Sequence, residues 1–251
     1  MSETRKSNEM NEISDRDEDI RSVGRLHNTI ATTFGSRIIS GHYPQGTPLG
    51  NETDLARDYK ASRTAMREAL KVLGAKGLIE SRPRVGTVVR PSSDWNMLDP
   101  MVLGWALADA QQSAKIIVDL YRLRMAIEPV AARLAALHAS EEQHKVIRRA
   151  LRGMAVYVDH NDKVEQDLAF HIAILKASGN SLFLSLGELI SVGLRHIFHA
   201  GLEATAEEDN RWIERHKRVA EALFARNGEL AEREMGILLG EAQDIHSEKP
   251  A

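Results

Sequence analysis

The chain has 251 residues, 43% hydrophobic and 27% charged, enough for two modest domains. It contains no cysteine, which excludes disulfides and thiolate metal sites. No apolar run is long enough to span a bilayer, and the first residues are acidic and polar rather than signal-like. A cytoplasmic protein with no membrane partner is expected. The net charge of −3 argues against a nucleic-acid partner, but its distribution argues for one. Residues 23–90 hold 11 Lys/Arg against 5 Asp/Glu, a balance of +6, whereas residues 91–251 hold 18 against 24, a balance of −6. Such asymmetry is the footprint of a nucleic-acid module joined to something else.

In chain order, residues 1–22 carry many charges and few apolar side chains, and read as a disordered tail. A first helix is expected over 24–40, with Leu26, Ile30, Phe34 and Ile38 facing a core at i, i+4 spacing. Gly41 and Pro44 break it into a turn that ends at Gly46. Residues 48–56 supply the next helix, with Asn51 as N-cap.

Residues 61–80 read as one helix with two faces. Ser62 is a good N-cap, because its hydroxyl can take up free N–H groups of the first turn. Ala65, Met66, Leu70 and Leu73 form the apolar stripe. Arg63, Thr64 and Arg67 fall off that stripe at the N-terminal end, as side chains must if a helix is to enter a major groove. An amphipathic surface helix with solvated arginines gives the same pattern. The residues beyond Gly77 decide between the two. Leu78-Ile79 and Thr87 to Val89 are β-prone runs flanking the basic tip Arg82-Pro-Arg84-Val-Gly86, which makes a hairpin. A recognition helix joined directly to a basic hairpin is a winged helix-turn-helix.

Residues 24–90 resemble the GntR family of winged-helix transcription regulators. The resemblance rests on the Ile39–Gly46 turn, the Ser62–Leu70 run, Gly77-Leu-Ile79 and Gly86-Thr-Val-Val89 taken together. It implies a double-stranded DNA operator as partner. Residues matching Arg63, Thr64 and Arg67 meet bases and phosphates in that family, and the glycine matching Gly86 approaches the minor groove. With Ser62 and the wing residue Arg84, these are the expected DNA contacts. The family often has Arg where this chain has Thr53, which puts one contact in doubt.

Residues 91–97 read as a linker, and a new helix starts near Asp99. From there helical periodicity runs to the end, over about 99–109, 113–138, 141–159, 162–178, 181–203, 207–226 and 229–246. The expected fold is therefore mainly α: a winged helix-turn-helix over 23–90, then an all-α helical bundle over 98–246. Asp167 and His171, four apart, share a helix face and can ligate one metal ion, although most such pairs are solvated. His216 lies near the edge of the face marked by Trp212, Ile213, Val219 and Leu223. Arg124 falls within the apolar stripe of Leu120, Leu123 and Ile127, which is costly unless it is paired.

Residues 98–246 resemble the FCD ligand-binding domain of the FadR subgroup, through Leu123–Pro129, Asp167–His171, Ser178-Gly-Asn180 and Glu214-Arg-His216. The resemblance implies a divalent metal on Asp167, His171 and His216. A further ligating His of the family aligns with Leu238, so a three-ligand site with open positions is expected. The donor set suits zinc, nickel or manganese. The resemblance also implies that Arg124 meets an effector carboxylate, and Arg195, beside Leu194 and Ile197, and His196 are further candidate effector contacts. The Trp95–Trp105 run is similar to the galactonate-operon repressors of this group. The reading is a DNA-binding regulator and homodimer, a repressor sensing a small carboxylate, with a sugar acid favoured. Against it stand a metal-dependent hydrolase or lyase fused to a winged helix, and a structural DNA-binding protein without ligand. No second acid–base partner at motif spacing supports the enzyme, and no catalytic residue is assigned.

Overall fold

The computed structural model describes residues 28–199 and 206–247. The expected tail and Leu26 lie outside them. The chain divides into two compact units that meet between Asp109 and Ala110.

The first unit opens with helix α1 (28–39), whose Ile30, Phe34 and Ile38 are buried as their spacing requires. Strand β1 (Pro48–Gly50), helix α2 (Glu52–Asp58), helix α3 (Arg63–Ala75), and strands β2 (Ile79–Arg82) and β3 (Gly86–Val89) come next. Asn51 and Ser62 cap α2 and α3, accepting from Asp54 N and Ala65 N. The apolar face of α3 is Ala65, Met66, Ala69 and Leu73, so Ala69 takes the place expected of Leu70. The strands form an antiparallel sheet in the order β1-β3-β2. β1 has only three residues and begins at a proline, and it pairs through Pro48 with Val88. Only the pairing with β3 makes it a strand, so no local pattern announced it.

The expected linker at 91–97 is packed. Trp95 is buried, and its indole N–H donates to the Arg90 carbonyl at 3.2 Å. Asn96 N donates to Lys76 O at 2.9 Å. Gly77, at φ +79°, allows this: a Cβ there would overlap the Asp94 carbonyl. Helix α4 (Pro100–Leu107) starts on Asp99, which caps Met101 N and Val102 N and pairs with Lys76 at 2.6 Å. Trp105 lies over Gly35, where a side chain would collide with its ring. Residues 91–109 therefore belong to the same compact unit as the winged helix.

The second unit holds α5 (Ser113–His138), α6 (Glu141–Met154), α7 (His160–Ala177), α8 (Ser181–His199), α9 (Ala206–Phe224) and α10 (Gly228–Ser247). α5 is central and packs on α7, α8, α9 and α10. Its buried face is Leu120, Tyr121, Arg124, Glu128 and the alanines 131, 132, 135 and 136. Small residues let neighbours approach closely. At Gly193, on α8, a Cβ would overlap Leu120. α6 ends at Met154, short of the expected 159, and α7 begins on its cap Asp159. No described helix is long and apolar enough to cross a membrane.

Candidate functional site

The exposed end of α3 carries Ser62, Arg63, Thr64 and Arg67 together. The Ser62 hydroxyl caps the helix by accepting from Ala65 N at 3.1 Å, a role that uses a lone pair and not its O–H. Arg67 forks onto Glu52 of α2, with Nε–Oε2 at 3.0 Å and Nη2–Oε1 at 2.9 Å. The wing tip is tight. Arg84 is exposed at φ +65°, a strained region for a side chain, and Gly86 stands two residues on at φ +91°. A Cβ on Gly86 would come within 3.2 Å of Gly50 O, so the glycine also keeps β1 against β3. Thr53 is exposed on α2.

The second unit contains a buried polar cluster. Arg124 and Glu128 come from α5, Asp167 and His171 from α7, and His216 from α9, all at most 3% exposed. Helical spacing of four sets Arg124 beside Glu128 and Asp167 beside His171. Arg124 Nε donates to Glu128 Oε1 at 2.6 Å, and Glu128 Oε2 lies 2.6 Å from His171 Nδ1. Nη2 of Arg124 approaches His171 Nε2 at 3.3 Å. A guanidinium can only donate, so His171 carries its proton on Nδ1 and turns the Nε2 lone pair inward. His216 Nδ1 is 2.8 Å from the Trp212 carbonyl, which can only accept, so this ring also turns Nε2 inward. Outer acceptors thus fix both rings in the tautomer that a metal ligand needs.

His216 is fully buried, not at the edge of its face. Its Nε2 lies 3.0 Å from Asp167 Oδ1 but outside hydrogen-bonding geometry, and is left without a partner. A lone pair facing a carboxylate oxygen is repulsive unless a proton or a metal cation stands between them. Nitrogen and oxygen ligands about 2.0–2.2 Å from one divalent ion lie roughly 3 Å apart when adjacent, so the spacing fits. Ligand atoms of Asp167, His171 and His216 all fall within 4.8 Å of one another. Leu238 is buried in the apolar core and offers no ligand atom.

Burial opposes ionisation of Glu128, but Arg124 and His171 outweigh it and bring the carboxyl down to about 2. Burial likewise opposes Asp167, and His171, His216 and Arg124 together bring it down to about 2. Both carboxylates are charged at neutral pH. Apart from the imidazoles, one guanidinium stands against two carboxylates in a dry site.

Arg195 does not join the cluster. Its side chain is exposed on α8 and grips Glu165 by two bonds of 2.7 and 2.9 Å. An inward role in the effector pocket is corrected to a surface ion pair. His196, the next residue on α8, is half-buried. The side chain of His199, on the same helix, lies outside the described residues. Sequence reasoning passed over Glu128, although its position one turn from Arg124 on the same face was a usable signal. It also passed over Lys163, buried one turn before Asp167. A surface cleft of about 270 Å³, lined by Arg218, Glu221, Ala222, Ala225, Leu230 and Glu234, holds none of these groups.

Residues 26–89 match the gntR family of bacterial regulatory proteins, and residues 119–240 match the FCD domain. The uncharacterized HTH-type transcriptional regulator YieP of Escherichia coli is 30% identical over 209 residues, 82% of this chain and 89% of that protein. The galactonate operon transcriptional repressor of the same organism is 31% identical over 204 residues, 81% and 89% of the two chains. The solved structure of Lar, which controls the Listeria monocytogenes agr system, shares the fold. Its TM-score is 0.59 at 16% identity, covering 91% of this chain and 97% of that one. These families are those of regulators rather than enzymes, which removes the hydrolase or lyase alternative. A winged helix with a basic recognition face, a separate helical unit and relatives matched across both make this chain a member of the GntR family of transcription regulators, in its FCD-bearing, FadR-like subgroup.

Proposed function

We propose that this regulator is a homodimeric repressor whose FCD unit holds one divalent metal on Asp167, His171 and His216 and senses a hydroxylated monocarboxylate. DNA contact is assigned to Ser62, Arg63, Thr64, Arg67, Arg84 and Gly86. A two-fold dimer reads paired half-sites, whereas one winged helix covers little DNA. The observation that carries the ligand reading is the partnerless His216 Nε2 facing Asp167, with both imidazoles locked lone-pair inward. Charge supports the anion. With neutral imidazoles, a divalent ion turns the site's net −1 into +1, and a monocarboxylate brings it to neutrality. His171 Nε2 cannot serve Arg124 and a metal at once, so a metal frees an N–H of Arg124 for the effector carboxylate. The galactonate repressor among the relatives names the ligand class to test first.

The experiment is metal analysis, then calorimetry with zinc-loaded and chelator-treated protein, titrated with galactonate. Galactonate should bind only with metal and lose binding in Arg124→Gln and His171→Ala. It should also shift affinity for a duplex selected from a random pool. In the absence of galactonate, Arg124→Gln should bind zinc more tightly than wild type, because a competitor for His171 is gone. Galactonate binding that survives both chelator and Arg124→Gln overturns the reading.

A further inference from the structure

One helical turn before the Asp167/His216 pair, both helices carry a second polar layer. Lys163 precedes Asp167 by four residues on α7, and Trp212 precedes His216 by four on α9. The Lys163 ammonium, 8% exposed as a residue, pairs with Asp209, and Tyr157 donates its hydroxyl to the other oxygen of Asp209 at 2.5 Å. The same ammonium lies 4.7 Å from the Trp212 ring, and that ring lies 5.0 Å from the His216 imidazole. The layer is thus continuous with the candidate metal ligands through a single indole. It is also wetter, since the Asp209 side chain is 20% exposed against 4% for Asp167.

We infer that Lys163, Asp209 and Tyr157, with Trp212 as their floor, form a distal subsite that reads hydroxyl groups on the effector's carbon chain. The inference rests on the metal-site reading above and sharpens it to polyhydroxylated acids. Distance sets the chain length. One helical turn is about 5.4 Å, which about four C–C bonds of roughly 1.5 Å can span. An acid held at the metal by its carboxylate and 2-hydroxyl therefore reaches this layer only if it is of aldonate length. Charge sets the chemistry. Lys163 and Asp209 neutralise each other, so the layer offers donors and acceptors side by side without net charge. That pairing suits a hydroxyl, which both donates and accepts. A second carboxylate would meet Asp209 and be repelled. An apolar chain would leave the ammonium and carboxylate buried and unsolvated. An aromatic face with convergent polar groups is the usual lining of a small-molecule site. The competing role is a clasp that ties residues 155–159 to α9, and a clasp would not distinguish one acid from another.

The test is calorimetry on the zinc-loaded full chain with galactonate and with lactate, which shares the carboxylate and 2-hydroxyl but has no distal hydroxyls. Lys163→Met keeps the unbranched stem and removes the ammonium, and Asp209→Asn keeps the shape and removes the acceptor charge. The galactonate-over-lactate preference should fall on the order of ten- to a hundredfold in each variant, since each loses a charge-assisted hydrogen bond. Melting temperature with zinc alone separates folding from recognition. If the two acids weaken in parallel, or the preference is unchanged in both variants, the subsite is wrong while the metal site stands. If wild type binds neither acid, or lactate binding survives His171→Ala, the metal-site reading fails and takes the subsite with it.

Discussion

Two Arg–Glu ion pairs of the chain stand in opposite surroundings. Arg67 grips Glu52 on the winged helix with side chains 61% and 29% exposed. Arg124 grips Glu128 in the bundle with side chains 3% and 1% exposed. Arg67 holds Glu52 by two bonds and Arg124 holds Glu128 by one, and solvent decides what each pair is for. Water can solvate whichever partner of the first pair is released, so Arg67 can trade Glu52 for a phosphate or base at little cost. Nothing solvates the second pair, so each partner must be matched, and losing one strands the other. An exposed pair makes a contact that can be exchanged. A buried pair makes a fixed scaffold, here one that aims His171.

The sharpest way to break the comparison is to remove one partner of the buried pair. Glu128→Ala leaves Arg124 uncompensated and the Nδ1–H of His171 unaccepted. Unfolding of the helical unit, measured by denaturant titration, should cost about 3–5 kcal/mol relative to wild type. A loss below about 1 kcal/mol, the range of exposed pairs, would mean the cluster is solvated and the contrast false.

Arg67→Ala tests the exposed pair by the opposite readout. Binding to a duplex selected from a random pool should fall roughly ten- to a hundredfold, with an unchanged melting temperature. Wild-type affinity at fixed salt would remove α3 as the reading element.

These two pairs also show how far the sequence could be read. Arg67 was legible because Ala65, Met66 and Leu73 define the α3 core face, and a charge off that face must point outward. The span of α5 was legible too, since polar residues 111–112 and the cap Ser140 bound it. Its buried face was not. Leu123 and Ile127 carry more hydropathic weight than Ala131, Ala132, Ala135 and Ala136, yet the alanines are buried and the larger residues only partly so. The stripe drawn through the large residues is rotated from the true one, and it leaves Glu128 out. Lys163 was invisible for another reason. A lysine reads as solvated, and what buries it is Asp209, 46 positions away. The fold is set by local periodicity and caps, whereas the site depends on pairings between helices.

Acid sharpens the contrast further. Folded Glu128 and Asp167 both titrate near 2, below their ordinary 4.5 and 3.8. A depressed carboxyl stabilises the fold fully above its unfolded value and loses that contribution as pH falls toward the folded one. The helical unit should therefore lose stability between about pH 5 and pH 2. With chelator present, so that no metal contributes, Glu128→Gln should flatten that limb. A limb as steep as wild type would assign the acid sensitivity to other carboxylates.

The smallest expected effect is the most specific to the exposed pair. Glu52 holds the Arg67 fork in place, and it also sets a negative charge beside the surface that must meet phosphate. These two consequences pull in opposite directions on random and selected DNA. Without the charge, any duplex is approached with less repulsion, since phosphate contact is mostly sequence-independent. Without the fork, Arg67 loses the orientation that a bidentate base contact requires. Glu52→Gln should therefore bind random-sequence duplex a few-fold more tightly and narrow the preference for selected duplex over random, both read by fluorescence anisotropy at several salt concentrations. If Glu52 were only a surface charge, both duplexes would tighten equally and the preference would hold. If random-duplex affinity were unchanged, Glu52 would lie outside the DNA-facing surface, and the Arg67–Glu52 pair would be as fixed as its buried counterpart.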